Sequence, residues 1–438
     1  MAVKLSYLHN KMNGDKFINL RKRVEKFSLR FRNESFRKIF VDCFFNTIDS
    51  TAFFEDDGSV FVITGDIPAM WLRDSSAQVM QYLFFAEDED VRKLIKGLLK
   101  RQFQMILTDS YANAFMRNDT YTSEWEGMVT SDYLPKIVWE RKFELDSLCY
   151  PLFLLSKYFD KTGDKEVFDE LFVKAFDKIM ETIEKERKHS EKSSYYFHFY
   201  REEDKKKVDV GENCPNSEKG LIWSGFRPSD DACEYHYHIP DNMFATSVLY
   251  KFSILFEQIL QDVKRAKICC GIAEELRELI DKYGVIEDKE FGRVYASETD
   301  CLGNYHIKDD ANIPSLLSLP YLEYPYLDKE IYENTRKLIL SKRNPYYYGG
   351  SVLEGIGSTH TPSNRVWPLA IAMQAITSED DKEINRCVDM LLASTEKTGY
   401  MHESVDCNDV SIYSRPWFAW ANSLFAYLVV KKADAIQK

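Results

Sequence analysis

A helical repeat of apolar side chains runs along most of this 438-residue sequence and limits the fold more than any other feature. The repeat is clearest over residues 167–183, where apolar side chains recur at every third or fourth position and form one stripe. Similar repeats predict helices over about 18–50 (two helices, broken near Asn33), 74–87 (capped by Asp74 or Ser75), 89–109, 143–160, 240–260, 264–283, 310–319, 328–342, 363–377, 379–394 and 415–432. The sequence therefore predicts an all-α protein.

Short β-like segments interrupt the helices without dividing the chain. Residues 60–63 form one such segment, and residues 195–200 are expected to form half of a hairpin. No Pro/Ser-rich linker or change of composition separates two domains, although a chain of this length could hold two or three. Because the loops are too long for a simple bundle, we expect a single domain over residues 1–438. The expected architecture is an (α/α)6 barrel, six inner helices wrapped by six outer ones, with a small β-like hairpin and long loops. Periodicity alone predicts the helices and not the barrel.

Composition argues against several classes of partner. The net charge of −12 disfavours nucleic acid, whose phosphates need a basic surface. No apolar run approaches the roughly 18 residues that span a bilayer, and residues 1–17 lack the apolar core of a signal peptide. The nine cysteines are scattered without a CxxC pair, which is typical of reduced thiols. We therefore expect a cytoplasmic protein with no nucleic-acid or membrane partner, and its oligomeric state is unknown from the sequence.

Four loop segments each combine a tryptophan with charged side chains, and loops on a rigid scaffold are where binding groups usually lie. They span residues 65–75, 222–233, 354–367 and 399–417 and contain Trp71, Trp223, Trp367 and Trp417. Aromatic rings stack on the C–H faces of sugars, so the aromatic share of 14% fits a carbohydrate site. It fits an ordinary aromatic core equally well.

The sequence lacks the patterns that are typical of a zinc site, a nucleophilic serine or a phosphate-binding loop. Cys233, His236 and His238 lie close together, but their spacing matches no usual zinc site, and HExxH is absent. Ser224 does not lie in a GxSxG elbow, and the glycines of residues 355–357 lack the lysine of a phosphate-binding loop. We therefore expect no metal site, no nucleophilic serine and no cofactor.

Two acidic residues in these loops, Asp230 and Glu403, are the candidates for acid–base chemistry. Hydrolysis of an acetal needs a proton for the leaving oxygen and, in the direct mechanism, a second carboxylate that activates water. Inverting enzymes hold the pair roughly 6.5–9.5 Å apart, a distance that the sequence does not give. Asp230 and Asp231 also fit a turn residue and a helix cap, which is the commoner use of adjacent aspartates.

Five motifs in the chain resemble those of glycoside hydrolase family 125, the exo-α-1,6-mannosidases. They are GDIPAMWLRDSSAQV (65–79), WSGFRPSDDAC (223–233), PDNMFA (240–245), GIGSTHTP (355–362) and MHESV (401–405). The resemblance runs in the family's order from about residue 36 to 425. It implies an (α/α)6 barrel that needs no metal, inverts the anomeric centre and removes non-reducing-terminal α-1,6-linked mannose, as found in N-glycans. One departure from the family pattern is the His-rich stretch over residues 234–241.

By the same resemblance, Asp230 would be the general acid and Glu403 the general base. The resemblance also implies that the terminal mannose contacts Trp71, Arg73, Asp74, Arg227, Asp231, Asn242, His360, His402 and Arg415. We expect burial between Trp223, Phe226 and a nearby carboxylate to raise the pKa of Asp230. We expect His402 or an arginine to keep Glu403 ionised. The expected partner is a mannose-containing oligosaccharide.

Three other functions remain open at this point. The first is another inverting exo-glycosidase of the same fold, such as an α-glucosidase or a trehalase-like enzyme. The second is a mannose-binding homologue that has lost catalysis. The third is a polysaccharide lyase, whose uronic acid substrates would need a basic cleft, which the acidic net charge disfavours.

Overall fold

The computed structural model describes residue 13 and residues 16–131, 133–203, 205–211 and 219–438, and helices dominate it. The α-helices are α1 (Ile18–Ser28), α2 (Glu34–Ser50), α3 (Leu72–Ala77), α4 (Glu89–Thr108), α5 (Leu145–Thr162), α6 (Glu170–Glu186), α7 (His189–Lys192), α8 (Ile239–Leu255), α9 (Val263–Tyr283), α10 (Lys329–Ile339), α11 (Pro368–Ile376), α12 (Asp381–Ala393) and α13 (Ala419–Lys431). Other helical turns cover Met80–Phe85, Lys165–Val167 and Phe256–Leu260.

The strands are short and form small sheets of two or three strands. They are β1 (Ala52–Phe54), β2 (Val60–Val62), β3 (Ala69–Trp71), β4 (Ala114–Met116), β5 (Val129–Thr130), β6 (Val138–Glu140), β7 (Phe197–Arg201), β8 (Lys206–Val210), β9 (Tyr237–His238), β10 (Val285–Asp288), β11 (Gly292–Tyr295), β12 (Glu298–Thr299), β13 (Tyr305–His306), β14 (Tyr347–Gly349), β15 (Glu354–Ile356), β16 (Arg365–Val366), β17 (Ser404–Asp406) and β18 (Tyr413–Ser414). They lie in the loops between helices and so shape the candidate site.

The chain forms two compact units, each assembled from separated stretches of sequence. Unit 1 contains the described residues within Met1–Phe103 together with Lys157–Phe172 and Tyr347–Lys438. Unit 2 contains the described residues within Gln104–Ser156 and Val173–Tyr346. The expectation of a single domain over residues 1–438 stays a prediction.

Helix α2 shows why the core of unit 1 forms where it does. Asn33 ends the preceding turn and accepts a hydrogen bond from the Phe36 amide at 3.1 Å, which is a standard side-chain N-cap. The buried face of α2 then meets α13 through an edge-to-face contact between Phe36 and Phe425. A hydrogen bond of 3.1 Å between the Thr47 and Ser423 hydroxyls joins the same two helices. The predicted break near residue 33 is confirmed.

Helix α8 is the apolar centre of unit 2. Together with the turn that follows it, Ile239–Leu260 is long and apolar enough by composition alone to cross a bilayer, yet 61% of the apolar 18-residue segment within it is buried inside the protein. Phe252 lies on it and packs against Phe176 of α6 with ring centroids 5.4 Å apart. A helix that is apolar on all sides is expected in the middle of a large core.

Both short β-like segments predicted from the sequence are present. Strand β2 pairs with β1 in antiparallel register, with Ala52 opposite Val62. Strand β7 pairs with β8 to form the expected hairpin, with Phe197 opposite Val210. Most of the predicted helices are also present, with ends that differ by a few residues.

Two helix predictions were wrong in ways that the side chains explain. Residues 310–319 form turns, because the Asp309 carboxylate accepts the amide protons of Leu316 and Leu317 at 2.7 and 3.2 Å and Pro314 has no amide proton. The helix predicted over 74–87 is the short α3 followed by a separate helical turn, and its N-cap is Trp71 and not Asp74 or Ser75.

Candidate active site

The first candidate carboxylate lies at the tip of a tight hairpin in unit 2. The Arg227 amide donates to the Asp231 carbonyl at 2.8 Å, and the Asp230 amide donates back to the Arg227 carbonyl at 2.9 Å. A third bond, from the Cys233 amide to the Gly225 carbonyl at 3.0 Å, closes the arms. These are the bonds of a three-residue hairpin loop, which ends on a residue with a left-handed backbone.

Asp230 occupies that left-handed position, with a φ of 65°. A non-glycine residue is uncommon there, although aspartate and asparagine tolerate it better than most. Pro228 presets the φ of the residue that opens the turn. The turn therefore holds Asp230 half-buried at the hairpin tip, in a backbone conformation that tends to mark functional sites. Asp231 is not a helix cap, since no helix begins there, and it accepts a bond from the Ser229 hydroxyl at 3.1 Å.

Arg227, one of the predicted mannose contacts, is engaged within unit 2. Its guanidinium donates to the carboxylate of Glu298, and both side chains are buried. Burial opposes both charges, yet their attraction outweighs it, so the pKa of Arg227 is raised and the pKa of Glu298 is lowered. The same carboxylate of Glu298 accepts the amides of Glu234 and Tyr235 at 2.9 and 3.0 Å.

A run of buried charges that the sequence analysis missed lies close to the hairpin. The Lys142 ammonium is buried, 3.4 Å from the Glu140 carboxylate and 4.1 Å from the centre of the Trp125 ring. Burial lowers its pKa, but the charges of Glu140, Asp230 and nearby acids raise it more, so the net shift is upward. The signal in the sequence is the stretch 139–146, where five charged residues alternate with apolar ones in a segment that turns out to be buried. Charged side chains are almost never buried unless they are paired.

The second candidate carboxylate, Glu403, is held by donors within unit 1. The Ser414 hydroxyl donates to one oxygen at 2.8 Å and the Arg415 guanidinium to the other at 3.3 Å. Strands β17 and β18 place Ser404 opposite Ser414, and these two hydroxyls lie 2.7 Å apart. Arg415 also donates to Asp66 through Nε at 2.9 Å. Hydrogen bonds from a guanidinium and a hydroxyl hold both oxygens of this carboxylate in a fixed orientation.

The first and fourth loop segments meet in unit 1. Gly65 has a φ of 134°, and a Cβ atom there would lie 3.1 Å from the ring of Trp417, so only glycine fits. Burial lowers the pKa of Arg415, but the charges of Glu403 and Asp66 raise it more, so the net shift is upward. The charge of Asp74 adds a smaller upward effect. Arg73, whose Nε lies 3.6 Å from the Asp74 carboxylate, is buried beside it. The structure thus gathers Asp74, Arg415 and Glu403 into one part of unit 1.

Two of the predicted mannose contacts, Asn242 and His402, are fully buried and bond to the backbone of nearby loops. The side chain of Asn242 is fully buried and bonds the Ile222 amide at 2.8 Å, with further bonds to the carbonyls of Ile222 and His238. His402 is also fully buried, its Nδ1 lies 2.9 Å from the Arg415 carbonyl, and its ring stacks on Tyr413. These bonds suit side chains that support loops, and their contact with mannose stays a prediction.

His402 is also not a charged partner of Glu403, as one form of the prediction required. Burial lowers the pKa of His402, so its imidazole is neutral at neutral pH. A neutral ring with Nδ1 near a carbonyl donates its proton there. The arginine named as the alternative, Arg415, makes the contact with Glu403.

The remaining predicted residues are divided between the units. Trp71, Arg73, Asp74, His360, Glu403 and Arg415 belong to unit 1, and Arg227, Asp230 and Asp231 to unit 2. Trp71 is buried, whereas His360 is exposed. Among the described residues, no group of three or more His, Cys, Asp or Glu side chains is arranged to hold a metal ion. In the His-rich stretch, His238 pairs with Asp241 at 3.0 Å and the His236 ring stacks on Trp223.

Three comparisons relate the chain to known proteins. The sequence model of the family described as metal-independent alpha-mannosidase (GH125) matches residues 33–430. The meiotically up-regulated gene 157 protein of Schizosaccharomyces pombe is 38% identical in an alignment that covers 93% of this chain and 84% of that protein. A metal-independent α-mannosidase from Streptococcus pneumoniae, in a non-productive substrate complex with α-1,6-mannobiose, matches with a TM-score of 0.89 and 39% identity, covering 95% of this chain and 98% of that one.

More distant structures share the fold alone. A bacterial glucoamylase complexed with acarbose matches with a TM-score of 0.59 at 13% identity, covering 94% of this chain and 58% of that chain. The glucoamylase of Saccharomycopsis fibuligera matches with a TM-score of 0.59 at 12% identity, covering 95% of this chain and 96% of that one. The helix-rich fold is therefore one that other glycosidases use.

Proposed function

The chain belongs to the GH125 family of metal-independent α-mannosidases and is a glycoside hydrolase, and from this premise we propose that it is an inverting exo-α-1,6-mannosidase. Its substrates would be oligosaccharides of the N-glycan type that end in α-1,6-linked mannose. Support for the linkage comes from the Streptococcus pneumoniae relative, whose structure holds α-1,6-mannobiose and is described in connection with the processing of N-linked glycans.

In the proposed reaction, Asp230 is the general acid and Glu403 the general base. Asp230 gives its proton to the glycosidic oxygen as the bond from that oxygen to C1 breaks. Glu403 takes a proton from water as the water oxygen bonds to C1 on the opposite face. The α-linked mannose then leaves as β-mannose, and a second proton transfer restores both carboxyl groups.

The observation that carries this proposal is the environment of Glu403. Its two oxygens accept from the Ser414 hydroxyl and from the Arg415 guanidinium, so the orientation of the carboxylate is fixed. A carboxylate fixed in this way suits a base that must accept a proton from water.

We further propose that the terminal mannose contacts Trp71, Arg73, Asp74, Arg227, Asp231, His360 and Arg415. Charged side chains that are already paired, such as Arg73 with Asp74, can bind neighbouring sugar hydroxyls without reorganising. Trp71 would supply an apolar wall for the sugar ring. Asn242 and His402 would support this set from behind.

The architecture that we propose is a single (α/α)6 barrel. It is supported by the alternation of helices with long loops and by the likeness to the glucoamylases. For location, we propose a reducing compartment such as the cytoplasm. The eight cysteines within the described ranges all have free thiols, which supports this.

A panel of mannobioses tests the function. The purified protein should cleave α-1,6-mannobiose and leave α-1,2- and α-1,3-mannobiose almost intact, and Asp230→Asn should abolish the cleavage. Equal cleavage of all three linkages would contradict the proposed specificity. Binding of mannobiose without any cleavage would favour the mannose-binding alternative.

A further inference from the structure

We propose that Glu298 is a positioning residue that sets the orientation of the acid Asp230. This inference rests on the proposed function, in which Asp230 protonates the leaving oxygen. Glu298 lies far along the chain from the hairpin that carries Asp230, and no motif of the sequence analysis includes it. Its carboxylate nevertheless joins the two arms of that hairpin.

The hydrogen bonds of Glu298 divide between its two oxygens. Oε1 accepts from the Arg227 guanidinium, at the residue where the turn opens. Oε2 accepts the amides of Glu234 and Tyr235, at 2.9 and 3.0 Å, directly after the turn closes. One side chain therefore binds the chain before Asp230 through one oxygen and the chain after it through the other.

Glu298 is itself well fixed. It lies on strand β12 between β9 and β13, opposite His238 on one side and His306 on the other. Only 1% of its surface is exposed. Because the sheet holds its backbone and the packing holds its side chain, Glu298 can transmit a fixed geometry to the hairpin.

A gain in stability does not by itself explain why Arg227 and Glu298 form a buried ion pair. A buried ion pair often stabilises a protein no better than apolar residues of the same size, because both charges lose their hydration. It does, however, specify one arrangement of the groups it binds. Asp230 needs this help because its left-handed backbone is strained. Proton transfer also requires the acid within hydrogen-bonding reach of the leaving oxygen.

Glu298→Gln breaks the hydrogen bonds between this side chain and one arm of the hairpin, with little change in the shape of the side chain. The amide keeps one acceptor oxygen, but its NH₂ group must then face either the Arg227 guanidinium or the two amides, all of which are donors. One arm is released and Asp230 is less well oriented. The matched control is Glu234→Gln, since the exposed Glu234 side chain bonds Lys308 and His306, and only its backbone amide contacts Glu298.

The decisive readout is how the loss depends on the leaving group. Cleavage of α-1,6-mannobiose needs a proton from the acid, whereas 2,4-dinitrophenyl α-mannoside has a leaving group that departs without one. We expect Glu298→Gln to lower kcat for mannobiose by about 10- to 100-fold, within the range that general acid catalysis supplies, and to lower kcat for the dinitrophenyl substrate less than about threefold. Asp230→Asn should show the same pattern more strongly, and Glu234→Gln should behave as wild type.

Two further variants secure the test. Tyr346→Phe removes a hydroxyl that lines the same small cavity as Arg227 and is a milder change on the same arm; it should show the same pattern to a smaller extent even if Glu298→Gln folds poorly. In the Asp230→Asn background, Glu298→Gln should cause almost no additional loss on mannobiose.

An equal loss on both substrates, or a full additional loss in the double variant, would overturn the positioning role. If Asp230→Asn cleaved both substrates like wild type, the fault would lie with the acid assignment, and the inference would fall with it.

Discussion

At the scale of single residues, the two proposed catalytic carboxylates are held by different means. Asp230 depends on its backbone, which the hairpin forces into a left-handed conformation. Glu403 depends on its side-chain partners, the Ser414 hydroxyl and the Arg415 guanidinium. These differences predict different responses to mutation.

Substitutions at Asp230 should separate the backbone from the carboxyl group. Asp230→Asn, Asp230→Gly and Asp230→Ala should all lose activity on mannobiose, because none supplies a proton. Alanine should also destabilise the protein relative to glycine by about 1 kcal/mol, because its Cβ is strained at positive φ. Thermal unfolding checks this: a melting temperature for the alanine variant at or above that of the glycine variant would contradict it.

Removing one donor from Glu403 should weaken the base without abolishing it. Ser414→Ala deletes a hydrogen bond to a charged group, which is worth about 1.5–3 kcal/mol, and we expect kcat to fall about 10- to 100-fold. Ser411→Ala, at an exposed serine that bonds Asp409 nearby, is the control and should retain wild-type kcat. Unchanged kcat in Ser414→Ala would mean that the hydroxyl does not support the base.

At the scale of elements, the sequence predicted helices better than it predicted the loops. The stripes over α6 and α9 were recognised because each helix buries one continuous face. Residues 310–319 showed a similar spacing, but Asp309 captures the amides that a helix would need. The roles of Asp309 and Glu298 depend on hydrogen bonds from side chain to backbone, which the spacing of apolar residues does not predict.

The loop that Asp309 organises should make stability depend on pH. Burial raises the pKa of Asp309 to about 7, although the amides of Leu316 and Leu317 oppose the shift; Asp310 adds to it and His238 opposes it. The folded protein therefore holds a proton there that the unfolded chain releases above about pH 4, so this group lowers the stability as pH rises from about 4 to 7.

Neighbouring charges do not reverse this trend. His238 is buried, which lowers its pKa, but Asp241 outweighs burial and the net shift is upward. Its stabilising charge is present below about pH 6.5 and is lost as pH rises through its folded pKa, in the same direction as Asp309. Arg227 and Glu298 line the same small cavity and stay charged over this range, because the pKa of Arg227 is raised and that of Glu298 is lowered.

Asp309→Asn should remove the larger part of this pH dependence, because the amide stays neutral at every pH. Urea unfolding at pH 5 and pH 8 checks it. Wild type should lose about 2–3 kcal/mol more than the variant between these values, at about 1.4 kcal/mol per pH unit up to pH 7. Parallel losses in both proteins would show that Asp309 does not titrate in this range.

At the scale of the whole molecule, the sequence motifs led to the family before any geometry was known. The motifs succeed because WLRDS and SGFRPSDDAC are long and irregular, so a match to them by chance is rare. They could not show which motif residues face a ligand. Asn242 and His402 lie beside candidate site residues in the sequence, yet their side chains bond to the backbone of loops. Motif membership thus names candidate site residues, and the structure adds which of them bond to the backbone of loops.

Ligand binding should stabilise the whole protein in a sugar-specific way. Glu403→Gln should still bind substrate, so α-1,6-mannobiose should raise its melting temperature, whereas the glucose disaccharide isomaltose should not. At about 100 times the dissociation constant the expected stabilisation is about 2.7 kcal/mol. Equal shifts with both sugars would favour an enzyme of α-glucosidase type.

The stereochemistry of the released sugar tests the proposed reaction most directly. Proton NMR of the protein with α-1,6-mannobiose, recorded before the anomers equilibrate and with EDTA present, should show β-mannose appearing first. Asp230→Asn should show no product under the same conditions. Early appearance of α-mannose would mean a retaining mechanism and would contradict the roles given to both Asp230 and Glu403.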